Sequence, residues 1–113
     1  MGRIYKILGR AEWEAAKAKG AFEGSAVDLH DGYIHFSTGP QAPETALRYF
    51  SSQADLVVLE VEADSLGPAL KWEPSRGGDL FPHLYSSLAL SDVLAVRPVA
   101  VDPAGVPALG NLR

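Results

Sequence analysis

There is no cysteine in this 113-residue chain. Its absence excludes a disulfide framework and thiolate chemistry, and leaves any zinc to histidine and carboxylate alone. Long apolar runs are missing too. No stretch approaches membrane-spanning length, and the N-terminus lacks the apolar core of a signal peptide. A cytoplasmic protein with no membrane partner is expected. Positive charge is not in excess: Lys and Arg number 10, Asp and Glu 14, and the net charge is −4. That balance argues against nonspecific binding to duplex DNA or anionic membranes, and leaves room for a local basic pocket.

What is present is an ordinary globular balance, 47% hydrophobic and 21% charged, in a length that suits one core and not two. Arg3 to Leu8 reads as a first strand that ends at Gly9. Ala11 to Lys19 reads as a short helix facing the core through Trp13 and Ala16, with Gly20 as a left-handed cap. Ala21 to His30 reads as a loop, and Asp31-Gly32 as a turn. Tyr33 to Ser37 follows as a strand. Its alternation puts Ile34 and Phe36 on one face and Tyr33, His35 and Ser37 on the other.

Thr38 and Gln41 have capping-box spacing, and Pro43 suits the first turn of a helix running to about Phe50. The apolar stripe of that helix is Pro43, Ala46, Leu47 and Phe50; Glu44 and Arg48 form an i,i+4 pair. Asp55 to Glu62 is a central strand buried on both faces. The chain turns over Asp64 to Pro68, and Ala69 to Glu73 is a short strand. Residues 86–91 fit no single type. Val93 to Val101 closes the sheet, with Pro98 marking an edge or a bulge. One domain over residues 1–101 and an irregular tail over 102–113 are expected. Strands outnumber helices, so the class is α+β, with two short helices.

One stretch, Lys71 to Tyr85, concentrates the side chains that carry chemistry. The Arg76-Gly77-Gly78 segment allows close approach of a ligand to main-chain N–H groups, and the Arg fork matches phosphate or carboxylate. Asp79 and Glu73 flank it. Glu73 can orient a hydroxyl or act as a base, or form an ion pair with Arg76 or Lys71. His83 can lean into the same cleft or cap the loop. Trp72 reads as core, as do Phe81, Leu84 and Tyr85. On the earlier strand, His35 beside Tyr33 and Ser37 can hydrogen-bond a ligand or carry a proton near neutral pH. Only His30, His35 and His83 are available as histidine ligands, and His30 and His35 lack ligand-pair spacing, so no metal is expected.

These blocks resemble the bacterial family called domain of unknown function 952. The matching residues are Ile4 to Ile7, Trp13 with Ala16 and Gly20, Asp31 to Thr38, Thr45-Ala46 with Tyr49-Phe50, and Trp72-Glu73 through Ser75 to Tyr85. More distantly, the order His35-Phe36-Ser37, a helix with Thr45-Ala46, and then Leu56 to Val61 is similar to the second half of RNA 2′-phosphotransferases. That resemblance implies the ADP-ribosyltransferase fold, a split and mainly antiparallel sheet around a cleft that holds NAD. Tyr33, His35 and Ser37 would line the cleft, with Arg76 and His83 near its mouth.

Three functions follow as expectations. In the first, the chain is an enzyme acting on NAD, ADP-ribose or a similar nucleotide. Arg76, Gly77, Gly78 and Asp79 form the phosphate side, His35 and Tyr33 hold ribose or base, and Glu73 and His83 are the catalytic pair. In the second, the same residues bind a small anionic metabolite without turnover. In the third, the block is a clasp whose polar groups satisfy one another with no cleft beside them.

Overall fold

The computed structural model describes residues 2–109 and 112, with every side chain among them except that of Arg76. Ten strands and three α-helices are seen among these residues: β1 (Arg3–Gly9), α1 (Arg10–Lys19), β2 (Ala21–Phe22), α2 (Ala26–Asp31), β3 (Ile34–His35), β4 (Ser37–Thr38), α3 (Ala42–Tyr49), β5 (Leu56–Glu62), β6 (Leu70–Pro74), β7 (Leu80–Leu84), β8 (Leu88–Ala89), β9 (Val93–Val101) and β10 (Pro107–Ala108). Every strand pairing is antiparallel. The strands form a five-stranded sheet in the order β10-β9-β5-β1-β4, a three-stranded sheet β3-β7-β6, and a two-stranded ribbon β2-β8. The class is α+β, as expected.

β5 is the centre of the large sheet because both of its faces are apolar. Val57, Leu59 and Val61 face one cluster with Ile4 and Leu8 of β1, Trp13 and Ala16 of α1, and Ile34, Phe36 and Leu84. Leu56 and Val58 face a second cluster with Tyr5, Ile7, Val99 and Ala46 of α3. A strand that buries alternate side chains into two cores cannot slip by one residue without exposing both sets. Its register with β1 runs from Arg3 opposite Glu62 to Gly9 opposite Leu56.

The helices end and begin where their chemistry dictates. Gly20 caps α1 at φ 103° and donates its N–H to the Ala16 carbonyl. Thr38 and Gln41 exchange hydrogen bonds ahead of α3: the Thr38 N–H donates to Gln41 Oε1 at 3.0 Å and the Gln41 N–H to Thr38 Oγ1 at 3.3 Å. The α3 face differs from expectation. Ala42 and Ala46 are buried, but Leu47 is 52% exposed, because the small alanines bring the helix close to the sheet along a line that leaves Leu47 outside.

Three further departures bear on the site. The expected loop over Ala21 to His30 contains β2 and α2. Tyr33 to Ser37 is not one strand. It breaks at Phe36, whose N–H donates to the Pro82 carbonyl at 3.0 Å, so β3 joins the small sheet and β4 the large one. The stretch 102–113, expected to be an irregular tail, includes β10, and Leu109 and Leu112 pack against the second core cluster. No helix is long and apolar enough to cross a membrane among the described residues.

Candidate functional site

The small sheet sets two histidines side by side. His35 on β3 is directly opposite His83 on β7, so their side chains share a face. Their ring centroids are 5.5 Å apart. The Tyr33 ring lies against both, stacked on His83 at 4.2 Å and tilted to His35 at 4.5 Å, with Tyr85 at 5.1 Å from it. Ile34 and Phe36 point the other way, into the core. The alternation legible in the sequence is thus retained as far as His35.

Each imidazole is tied through Nδ1 to a carboxylate. His83 Nδ1 is 2.7 Å from Glu73 Oε1, which also accepts the Tyr85 hydroxyl at 2.8 Å. Glu73 comes from β6, one strand away. These hydrogen bonds, His83 first and then Tyr85, hold the Glu73 carboxyl below its ordinary pKa. The same bond to Glu73, with burial adding to it, pushes the Tyr85 phenol up to about 12. Burial also raises Tyr33, helped by the charges of Asp31, Glu73 and Asp28.

His35 Nδ1 is 2.6 Å from Asp28 Oδ1. Asp28 is only 1% exposed. It lies in the first turn of α2, where its Oδ2 accepts the Ser25 N–H at 2.8 Å and contacts Lys6 Nζ at 2.9 Å. Lys6 is itself buried, on β1. Burial alone would push the Asp28 carboxyl up; the hydrogen bond from His35, the Lys6 charge and bond, and the Ser25 N–H override it and hold it at about 2. The other ring nitrogen of His35, Nε2, is 3.0 Å from Asp31 Oδ2 at the end of α2. Asp31 also meets the exposed His30 at Nδ1, 3.0 Å from its Oδ1. His30 first, and His35 with it, lower the Asp31 carboxyl.

Beside this cluster lies an open cavity of about 220 Å³, lined by Asp28, Tyr33 and Tyr85 among others. A second groove of about 380 Å³ lies apart from it, between Arg3, Thr38 and Trp72. Trp72, expected in the core, is 44% exposed. It lies on β6, at the edge of the small sheet, with a neighbouring strand on one side only.

The residues singled out in the sequence therefore part company. Tyr33, His35, Glu73 and His83 come together. Ser37 does not join them: it falls after the break at Phe36 and bonds Thr45 of α3, Oγ to Oγ1 at 2.9 Å. Gly77 and Gly78 form the turn between β6 and β7 with φ 72° and 85°. The Gly78 N–H donates to the Ser75 carbonyl, and Asp79 closes the turn by accepting the Ser75 N–H. Leu80 and His83 are three strand positions apart, roughly 10 Å at ~3.3 Å per residue, so this turn is at one end of the sheet and His83 towards the other. The Arg76 side chain is outside the described residues. Glu73 and His83, each weighed with other partners, bond each other, and the Lys71 charge also acts on Glu73.

Lys6, Asp28, Asp31 and Tyr85 are additions that the sequence reading did not single out as site residues. Two signals for them were available. Lys6 has the same strand parity as Ile4 and Leu8, which marks a charge on a buried face. Ser25-Ala26-Val27-Asp28 has the capping-box pattern that announces α2. Among the described residues no group of three His, Cys, Asp or Glu side chains is placed to hold a metal.

The model of a family described as protein of unknown function (DUF952) matches residues 7–96. No curated protein matches the chain. The crystal structure of protein CC0527 from Caulobacter crescentus is similar at 61% identity and a TM-score of 0.94, over 96% of this chain and 95% of that one. The solution NMR structure of CC0527 superposes with a TM-score of 0.87 over 97% of this chain and 95% of that one.

Proposed function

The chain belongs to the DUF952 family, and from its site we propose that it binds a nucleotide-like ligand, NAD or ADP-ribose, at the His35–His83 face and, in the manner of an ADP-ribosyltransferase, transfers ADP-ribose from NAD to an acceptor nucleophile, with nicotinamide as the leaving group. One observation carries the reading. Two imidazoles, each oriented at Nδ1 by its own carboxylate, stand 5.5 Å apart around a tyrosine ring, with a cavity alongside. A carboxylate-oriented histidine is the usual general acid or base, and two of them supply one of each.

The roles follow from placement. Tyr33 and Tyr85 offer ring faces to a base or nicotinamide ring. His35 meets a ribose hydroxyl. Glu73, half-exposed and ionised, polarises a second hydroxyl and stabilises positive charge on the ribose as the bond to the leaving ring breaks. Glu73 takes the proton of the incoming acceptor as the acceptor's bond to the ribose carbon forms, and the buried His83, bonded to Glu73 through Nδ1, assists by sharing that proton. The glycine turn, with Arg76, is the phosphate end of the same ligand.

The clasp reading has an observation of its own: Glu73 bonds both His83 and Tyr85, and Asp28 bonds His35. A thermal-shift series separates the two. With saturating NAD or ADP-ribose, the melting temperature of the wild type rises by mass action, and that of Glu73→Gln rises less. Release of free nicotinamide from NAD, absent in Glu73→Gln, identifies turnover. No shift with NAD, ADP-ribose, nucleotides or phosphate leaves the clasp.

A further inference from the structure

His35 is gripped by two carboxylates that are held in very different ways. Asp28 is fixed. It is 1% exposed and takes the Lys6 ammonium, the Ser25 N–H, the His35 N–H at 3.1 Å and the His35 Nδ1. Asp31 is not fixed. Its side chain is 34% exposed, and its described partners are two ring nitrogens, those of His30 and His35. It is the last residue of α2, before Gly32 at φ 90°, so a turn about its side-chain bonds carries the carboxylate into solvent with the backbone unmoved.

We propose that Asp31 is a displaceable plug on His35: its Oδ2 occupies the place at Nε2 that a hydroxyl oxygen of the ligand takes, while Asp28 keeps Nδ1. This rests on the reading that His35 meets the ligand. The geometry favours exchange over rearrangement. With Asp31 gone, the bond to Asp28 and the Tyr33 ring at 4.5 Å still hold the imidazole in place. Both carboxylates are acceptors, so the contact at Nε2 is a hydrogen bond donated by that ring nitrogen, and its N–H is what a ligand oxygen takes over when Asp31 leaves. Ligand affinity is then set partly by how readily Asp31 leaves. Asp31 is a positioning residue for His35 rather than a catalytic one.

The charged and titratable groups around His35 are Asp28 with Lys6 behind it, Asp31 with His30 behind it, Tyr33, and His83 with Glu73 behind it. Chemical modification of the histidines supplies the test. Diethyl pyrocarbonate acylates an uncovered, unprotonated imidazole nitrogen. Peptide mass mapping reads the three sites separately. His30 also contacts Asp31, so added free N-acetylhistidine is the fast reference, and His83, 4% exposed, stays slow while the protein is folded.

In Asp31→Ala the rate at His35 relative to the added reference should rise roughly tenfold over the wild type, as loss of a charge-assisted hydrogen bond implies. Should that variant unfold, seen as fast reaction at His83, the same ratio is read in Asp31→Asn, which keeps the shape and weakens the acceptor. An unchanged ratio in the folded variant overturns the proposal. Because no ligand is present, this outcome is independent of the thermal-shift series: an accelerated His35 with no NAD or ADP-ribose shift keeps the plug and discards the nucleotide, and the reverse result does the opposite.

Discussion

At Asp28 two opposing effects meet in one carboxylate. Removing it from water favours the protonated form, while Lys6, His35 and the Ser25 N–H favour the ionised one, and the second set wins. The folded pKa of about 2 lies below the ordinary value of 3.8. The sign follows: this carboxylate adds stability above about pH 4, and the contribution drains away as pH falls through about 2. Its size is about 2 kcal/mol. Asp28→Asn should flatten that acid limb. It should also leave Lys6 buried beside a neutral partner, at a cost of roughly 3–5 kcal/mol in urea denaturation at neutral pH.

The same residues mark the limit of what could be read without coordinates. His35, Glu73 and His83 were legible because polar groups in apolar surroundings stand out. Asp28 and Asp31 were hidden by their context, since Asp and Gly close together read first as a turn. Tyr85 looked like a core anchor because the residues near it, Phe81 and Leu84, are one. Its hydroxyl is what the sequence could not aim.

Among elements, α2 shows how six residues can control a site. Its first turn supplies Asp28, its last residue is Asp31, and Gly32 then reverses the chain so that Tyr33 and His35 return over it. A side chain at Gly32 meets no atom within 4 Å, so only its φ of 90° resists substitution. Gly32→Ala should therefore cost about 1 kcal/mol of stability, from backbone strain alone, in a denaturation midpoint. The element that misled was the strand expected over Tyr33 to Ser37. Alternation predicts which way side chains point along one strand. It is silent on a break such as the one at Phe36, which turns Ser37 to a different sheet and gives it to Thr45.

For the molecule as a whole, the long-range pairing of β1 with β5 was accessible only in part. Both strands were read correctly from composition, yet composition names neither their partners nor the strand order, and a split, mainly antiparallel sheet was expected only from the family resemblance. The two cores divide by face, and that yields a contrast. Leu59 is fully buried beneath α1, and Leu47, assigned to an apolar stripe by its spacing, is half-exposed. Leu59→Ala should lose roughly 2–5 kcal/mol, whereas Leu47→Ala should stay within about 0.5 kcal/mol, both measured by urea titration.

The two tryptophans are divided in the same way. Trp13 is 6% exposed in the main core, and Trp72 is 44% exposed on the strand that carries Glu73. The protein thus carries two intrinsic fluorophores in opposite solvents. Trp72→Phe should leave a blue-shifted emission that moves red only on global unfolding. Trp13→Phe should leave a red-shifted emission, open to quenching by iodide, that reports on β6 while the core remains intact. Unlabelled protein can then signal, at two wavelengths, whether a disturbance has reached the core or stopped at the edge strand.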